Sequence, residues 1–383
     1  MSEALQERAF FEMFREEAQR EGEHLPKEHF KYGLGIFSKI KDLSEISFEK
    51  EPVEYSYGAT LGTRFLLWKE AMADEEAVSL LRKYFIPENV PVLKNNLFAS
   101  ALSSFGGGLV VIIDSAKETV IDISSLVSKN GADFLFVVVK EGSRAKIFES
   151  LSGGVEFFGR TVFAVVEEGA SLEITHNQNL SAETVFAENK FSFVGRGGFV
   201  RWNSIHTGGS FIKTDTEDFL RGEGAQSFSQ YVSVVANSNA DVYSASHHLS
   251  PHTISHINAR SVAGSGAKII YRGLVDIPRG MNGASGRQDG RFILVSPGAE
   301  VDAVPALDVG SRETSSSHAL SISHLKKEDF FFPALRAIPT YHAQGMLLLG
   351  FLSKYLNNSP FGVKDDIHAV LSKKLSSPLF RLD

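Results

Sequence analysis

Glycine-centred turns recur at a nearly constant interval, and that interval constrains the fold of this 383-residue chain more than any other feature. Glu141-Gly142-Ser143, Glu168-Gly169-Ala170, Arg196-Gly197-Gly198 and Glu223-Gly224-Ala225 place glycines at 142, 169, 197 and 224, which are 27, 28 and 27 residues apart. Gly266 and Gly298 continue the series at longer gaps of 42 and 32. Runs rich in Val, Ile and Phe lie among these turns: Leu109-Val110-Val111-Ile112-Ile113, Phe134-Leu135-Phe136-Val137-Val138-Val139 and Thr161-Val162-Phe163-Ala164-Val165-Val166. No long helical pattern interrupts them before about residue 326. A unit of this size without a helix cannot bury its apolar face alone, so neighbouring units must stack on it.

The run from Glu300 shows the alternation such stacking needs. Val301, Ala303, Pro305, Leu307 and Val309 fall on one face and Glu300, Asp302 and Asp308 on the other. Pro305 cannot donate a ladder bond, which predicts a bend or an edge. A parallel β-helix fits this pattern better than a sandwich, though the residues alone leave both open.

Helical spacing appears at the two ends. Ala9, Phe10, Met13 and Phe14 follow it, as do Phe65, Leu66, Leu67 and Ala71, and then Ala77, Leu80, Leu81 and Tyr84. Pro26, Pro87 and Pro91 punctuate this region. After Leu325, Ala343, Met346, Leu347, Gly350, Phe351 and Tyr355 recur at helical steps, and Ile367, Val370 and Leu371 form a second stripe. The chain therefore divides into a mostly helical region 1–96, a strand-built core 97–325 and a helical region 326–383. The last helices are expected to pack on the final coils and cap the open edge.

Composition narrows the function classes. A net charge of −7 with no basic cluster argues against nucleic acid. No apolar run approaches the roughly 18 residues of a membrane span; the most tempting piece, Gly345 to Leu352, is far too short. The start is charged through Glu23 and lacks a secretory pattern, so a cytoplasmic location is expected. There is no cysteine, which excludes disulfides and thiolate metal sites.

Four histidines, His247, His248, His252 and His256, fall within ten residues. Imidazole is a common iron or zinc ligand, but four residues of strand span about 13 Å, too far for one ion. The plainer reading is a row of polar residues on a solenoid face. Gly264-Ser265-Gly266-Ala267-Lys268 precedes a strand, whereas a phosphate loop must follow one and open a helix. Glu300, Asp302 and Asp308 invite comparison with carbohydrate-active β-helices; the simpler alternative is a solvated acidic face.

The block from His248 to His318 carries a family resemblance. It holds His248-Leu249-Ser250-Pro251-His252-Thr253-Ile254-Ser255, then Tyr271-Arg272-Gly273-Leu274-Val275, Pro297-Gly298-Ala299-Glu300-Val301-Asp302, Pro305-Ala306-Leu307-Asp308-Val309 and Ser316-Ser317-His318-Ala319. That order and spacing resemble the core of the SufB/SufD family, the scaffold subunits of the SUF iron–sulfur cluster assembly machinery. The resemblance spans roughly residues 95–355. It implies a mainly β fold, a right-handed parallel β-helix flanked by N- and C-terminal helical regions. His248 matches the family's His-x-x-Pro-x-Thr-x-Ser pattern, with a turn-pinning role beside Thr253 and Ser255. His318 matches the histidine of the SufD run Cys-Ser-His-Gly, with Ser316 at the cysteine position. Gln288 stands where the SufB branch has a cysteine within Gln-Cys-Asp, and glutamine cannot accept a persulfide sulfur.

These departures favour a SufD-like, non-enzymatic scaffold subunit. The resemblance further implies pairing with a SufB-type paralogue, or with itself, and docking of a SufC-type ABC ATPase through Arg336, Ile338, Ala343 and Leu347. No tightly bound cofactor is expected. His318, and less so His248, are the candidates to touch a transient iron or iron–sulfur cluster at a subunit interface. The alternatives are a self-sufficient homodimeric SufBD-type scaffold and a carbohydrate-active β-helix enzyme.

Overall fold

The computed structural model describes residues 29–31, 37–39, 46–49, 51–58, 60–84, 105–353, 368–369 and 371–380. A short antiparallel pair, β1 (His29–Lys31) and β2 (Phe37–Lys39), precedes β3 (Val53–Tyr57) and β4 (Thr63–Leu67). Helices α1 (Trp68–Ala71) and α2 (Glu75–Tyr84) follow. Sixteen consecutive strands then alternate between two sheets. The odd sheet holds β5 (Phe105–Ile113), β7 (Gly131–Val139), β9 (Phe157–Val166), β11 (Val185–Val194), β13 (Phe211–Leu220), β15 (Asn239–His248), β17 (Lys268–Ile277) and β19 (Glu300–Val309). The even sheet holds β6 (Thr119–Val127), β8 (Arg144–Gly153), β10 (Ser171–Leu180), β12 (Phe199–His206), β14 (Gln226–Val235), β16 (Ile254–Ala263), β18 (Ser285–Leu294) and β20 (Ser315–His324). Each strand pairs in parallel with the strand two along, so the core is a mainly β, parallel solenoid of eight turns.

The glycine interval is one solenoid turn. Gly142, Gly169, Gly197 and Gly224 all have φ between 58° and 70°, the left-handed region open to glycine. Each donates its backbone N–H one turn onward, to the carbonyls of Glu168, Arg196, Glu223 and Pro251. The next members are His252 (φ 58°) and Gly283 (φ 73°), whose N–H groups reach Asn282 and Glu313. Gly266 and Gly298, read above as continuing this series, belong instead to the opposite row of turns, before β17 and β19. Two strands per turn create two rows of corners, and one interval cannot distinguish them.

The continuous apolar runs reflect burial on both faces of the odd sheet. Leu109, Val111, Leu135, Val137, Val162 and Ala164 point between the sheets. Val110, Ile112, Phe134, Phe136, Phe163 and Val165 form the outer face, covered by Ala77, Leu80 and Leu81 of α2. Phe65, Leu66 and Leu67, read above as helical, form β4, antiparallel to β5. Together with β3 against β6, β4 adds a short antiparallel edge strand to each sheet at the first turn.

Among the described residues the C-terminal helices do not cap the other end. Leu348 and Leu352 of α4 (Thr340–Ser353), with Leu371, Leu375 and Phe380, pack on Val232, Val234, Val262 and Ile293 on the flank of the even sheet. The apolar surface that needs cover lies there, where the strand ends of β14 and β16 are buried on both faces. β19 and β20 are left as terminal strands, and β20 is exposed along almost its whole length. Pro305 therefore sits on an edge strand, as its missing donor requires. Among the described residues no helix is long and apolar enough to cross a membrane.

Candidate functional site

The histidine cluster at 247–256 is dispersed by the fold. His247 and His248 end β15 of the odd sheet, His252 occupies the corner, and His256 lies in β16 of the even sheet. His248 is fully buried. Its Nδ1 lies 2.7 Å from Thr253 Oγ1 and its Nε2 2.8 Å from Ser255 Oγ. Thr253 Oγ1 donates its only proton to the Ser250 carbonyl (3.0 Å), so it accepts from His248 Nδ1–H. Nε2 then accepts from the Ser255 hydroxyl. Burial lowers the ring's pKa to about 4, which keeps this neutral arrangement. Both nitrogens are thus committed to the His-x-x-Pro-x-Thr-x-Ser corner.

His318 lies in the other sheet, on the last strand. It pairs in register with Gln288 of β18, which pairs in turn with the core residue Ile257 of β16. Register partners in a parallel ladder project to the same face. Gln288 donates Nε2–H across the interior to the Ala306 carbonyl (2.6 Å), so His318 projects from the inner face of the final turn. Among the described residues no further turn covers it, and it is exposed. Leu320 and Ile322 continue that face and are 36% and 42% exposed. A groove of about 320 Å³ borders His318 together with His256, Arg287 and Asp289.

On the helical flank, Arg336 is exposed, Ile338 and Leu347 are half-buried, and Ala343 is buried in the helix–sheet seam. Ala343 therefore supports this surface without being available to contact a partner. Phe331, Phe332 and Leu335 of α3 (Phe331–Leu335) are the large apolar side chains beside Arg336, each more than half exposed. Glu300 and Asp302 share Lys268, at 2.8 and 3.7 Å, and so form a surface ion-pair group.

A second feature had no sequence signal. The interior between the sheets carries a chain of buried charges, one or two per strand. Arg160 of β9 holds Asp133 of β7 with Nε and Nη2, at 2.8 and 2.6 Å, and reaches Glu149 of β8 with Nη1. Tyr55 also donates to Asp133. Burial alone would raise the Glu149 pKa, but the Arg160 guanidinium and His176 hold it down at about 2. His176 Nδ1 of β10 lies 2.9 Å from Glu149, and its Nε2 lies 3.2 Å from Glu188 of β11. Lys190 donates to Glu188 at 2.6 Å and to Ser204 at 2.9 Å. His206 of β12 completes the group, 3.7 Å from Glu188.

These residues escaped sequence reasoning because β11 inverts the usual pattern. Val185, Ala187, Phe191 and Phe193 pack with the outer-face cluster under α2, which leaves Glu188, Lys190 and Ser192 facing inward. A polar alternation reads as solvent-facing until the helix that covers the apolar side is known.

Comparison with known proteins places these features. Residues 127–351 match the family model for the SUF system FeS cluster assembly SufBD core domain. An iron–sulfur cluster assembly SufBD family protein of Staphylococcus aureus (strain MRSA252) is 24% identical over 364 residues, covering 90% of this chain and 77% of the relative. One from Staphylococcus epidermidis (strain ATCC 12228 / FDA PCI 1200) is 23% identical over 354 residues, covering 88% and 73%.

Proposed function

The chain belongs to the SufBD family of iron–sulfur cluster assembly proteins, and from that premise we propose that it is a SufD-like, non-enzymatic scaffold subunit that supplies no sulfur ligand of its own. The observation that carries this reading is the open last turn. Both sheets end in a strand with one partner at each end, but the inner face of the first turn is buried, whereas among the described residues β19 and β20 leave theirs largely uncovered. A second solenoid end, from a SufB-type paralogue or another copy of this chain, can extend both sheets by strand addition.

At that junction His318 offers an imidazole toward the interior, beside Gln288 and without a thiol. Imidazole serves as an iron ligand in clusters where it replaces cysteine. Sulfur and the remaining ligands for the nascent cluster, which is cargo here, would come from the partner. The surface of Phe331, Phe332, Leu335 and Arg336 suits docking of a SufC-type ATPase, whose closure would shift the scaffold between arrangements.

The test is co-expression with SufB-type and SufC-type proteins of the same organism, with masses measured by light scattering. A stable complex containing all three supports the reading. A chain that binds neither partner overturns it. His318→Ala in a reconstituted complex separates roles: slower cluster delivery assigns His318 to the cluster, and unchanged delivery assigns it to packing.

A further inference from the structure

His176, Glu188 and His206 converge inside the solenoid, with one donor atom of each within 4.8 Å of the others, and they are the only such grouping among the described residues. We propose that this trio binds one divalent transition-metal ion of the Fe(II) or Zn(II) class, in the interior and apart from the subunit junction at His318. His176 Nε2, Glu188 Oε1 and both ring nitrogens of His206 have no hydrogen-bond partner, although all three residues are at most 2% exposed. Buried polar atoms are rarely left this way.

The tautomer sharpens the argument. Glu149, an ionised carboxylate, accepts from His176 Nδ1, an outer-shell arrangement that orients a ligating histidine. In the neutral ring, Nε2 then carries a lone pair facing Glu188 Oε1 at 3.2 Å. Two acceptors at that distance repel unless a cation lies between them. Donors around a tetrahedral ion at 2.0–2.2 Å are about 3.3–3.6 Å apart, so the observed 3.2 Å is within about 0.1 Å of that spacing. His206, on the next strand, lies 3.7 Å from Glu188 with neither ring nitrogen hydrogen-bonded.

Charge points the same way. The linked interior groups include three carboxylates (Asp133, Glu149, Glu188) beside two cationic side chains (Arg160, Lys190), and Asp218 is a further buried carboxylate in the same interior. Two imidazoles with one carboxylate select a borderline transition ion over calcium or magnesium, which require more oxygen ligands. Lys190 donates to Glu188 Oε2, which leaves Oε1 for the ion, and its ammonium charge opposes the ion.

That opposition provides a test of opposite sign. The full chain is unfolded in chelator and refolded with and without one equivalent of Zn(II) or Co(II). Metal content, the visible Co(II) spectrum and Tm are then read. The expected result is one ion per chain, retained through gel filtration and raising Tm. Glu188→Gln and His206→Gln should bind at least tenfold more weakly, whereas Lys190→Met should bind more tightly than wild type. His318→Ala should keep the full equivalent. If neither wild type nor Lys190→Met takes up a stoichiometric ion, the proposal fails, and a doubly protonated His176 between Glu149 and Glu188 balances the charge. Loss of the ion in His318→Ala alone would also overturn it by moving the site to the solenoid end.

Discussion

Arg160→Met tests how the interior chain of charges contributes to stability. Arg160 is 1% exposed, and its guanidinium contacts two buried carboxylates, Asp133 and Glu149. The folded Glu149 pKa of about 2, against an ordinary 4.5, is a displacement of about 2.5 on the pH scale. At about 1.4 kcal/mol per decade, that is about 3–4 kcal/mol of stability, of which the Arg160 guanidinium supplies the largest favourable part beside His176 and Ser125. Removing one partner of a buried pair costs about 3–5 kcal/mol by a separate route, so the two magnitudes agree. Because the folded value is depressed, the contribution is present above pH 4.5 and lost as pH falls toward 2. Urea denaturation of wild type and Arg160→Met at pH 7 should therefore differ by about 3–5 kcal/mol, with the gap shrinking below pH 4.5. The triple variant Arg160→Met, Asp133→Asn, Glu149→Gln should recover much of the loss, since no unpaired charge remains. A penalty under about 1 kcal/mol, the scale of a surface pair, or one unchanged between pH 7 and pH 3, would refute the reasoning.

Two further perturbations follow. His247 stacks on Phe219 (4.9 Å) and lies between Glu217 and Asp276 at 3.1 and 3.0 Å; although burial disfavours its charge, these two carboxylates raise its pKa above 6.5. Its ion pairs thus stabilise fully below pH 6.5 and are lost as pH rises through the folded value, so His247→Gln should flatten the Tm profile on the alkaline side of 6.5; an unchanged profile would remove His247 from the account. Ala337 has φ 54°, a left-handed conformation at the turn between α3 and α4. Ala337→Gly should stabilise by about 1 kcal/mol in thermal unfolding, and a destabilised variant would show that the turn is held by something other than backbone preference.

Local rules made part of this protein legible. The spacing of Gly142, Gly169, Gly197 and Gly224 is the solenoid repeat, because only a residue free to adopt positive φ fits each corner. His248, Thr253 and Ser255 read as one corner because all three lie within eight residues. Pro305 announced an edge strand through its missing donor. The limits of such rules appear at Phe65 to Leu67, where apolar residues suited to a helix joined a strand because β5 offered an unpaired edge. They appear again at the C-terminus, where the helices went to the flank that carried Val232, Val234, Val262 and Ile293 instead of to the open end.

The sequence by itself therefore determined the repeat, the corners and the absence of any thiol chemistry, all properties of single residues or short spacings. Tertiary structure alone decided which face of β11 is the interior and that His176, Glu188 and His206 meet. Those three residues sit on consecutive strands 12 and 18 positions apart. Sheet register and the packing of α2 bring them together, and neither leaves a periodic mark in the chain.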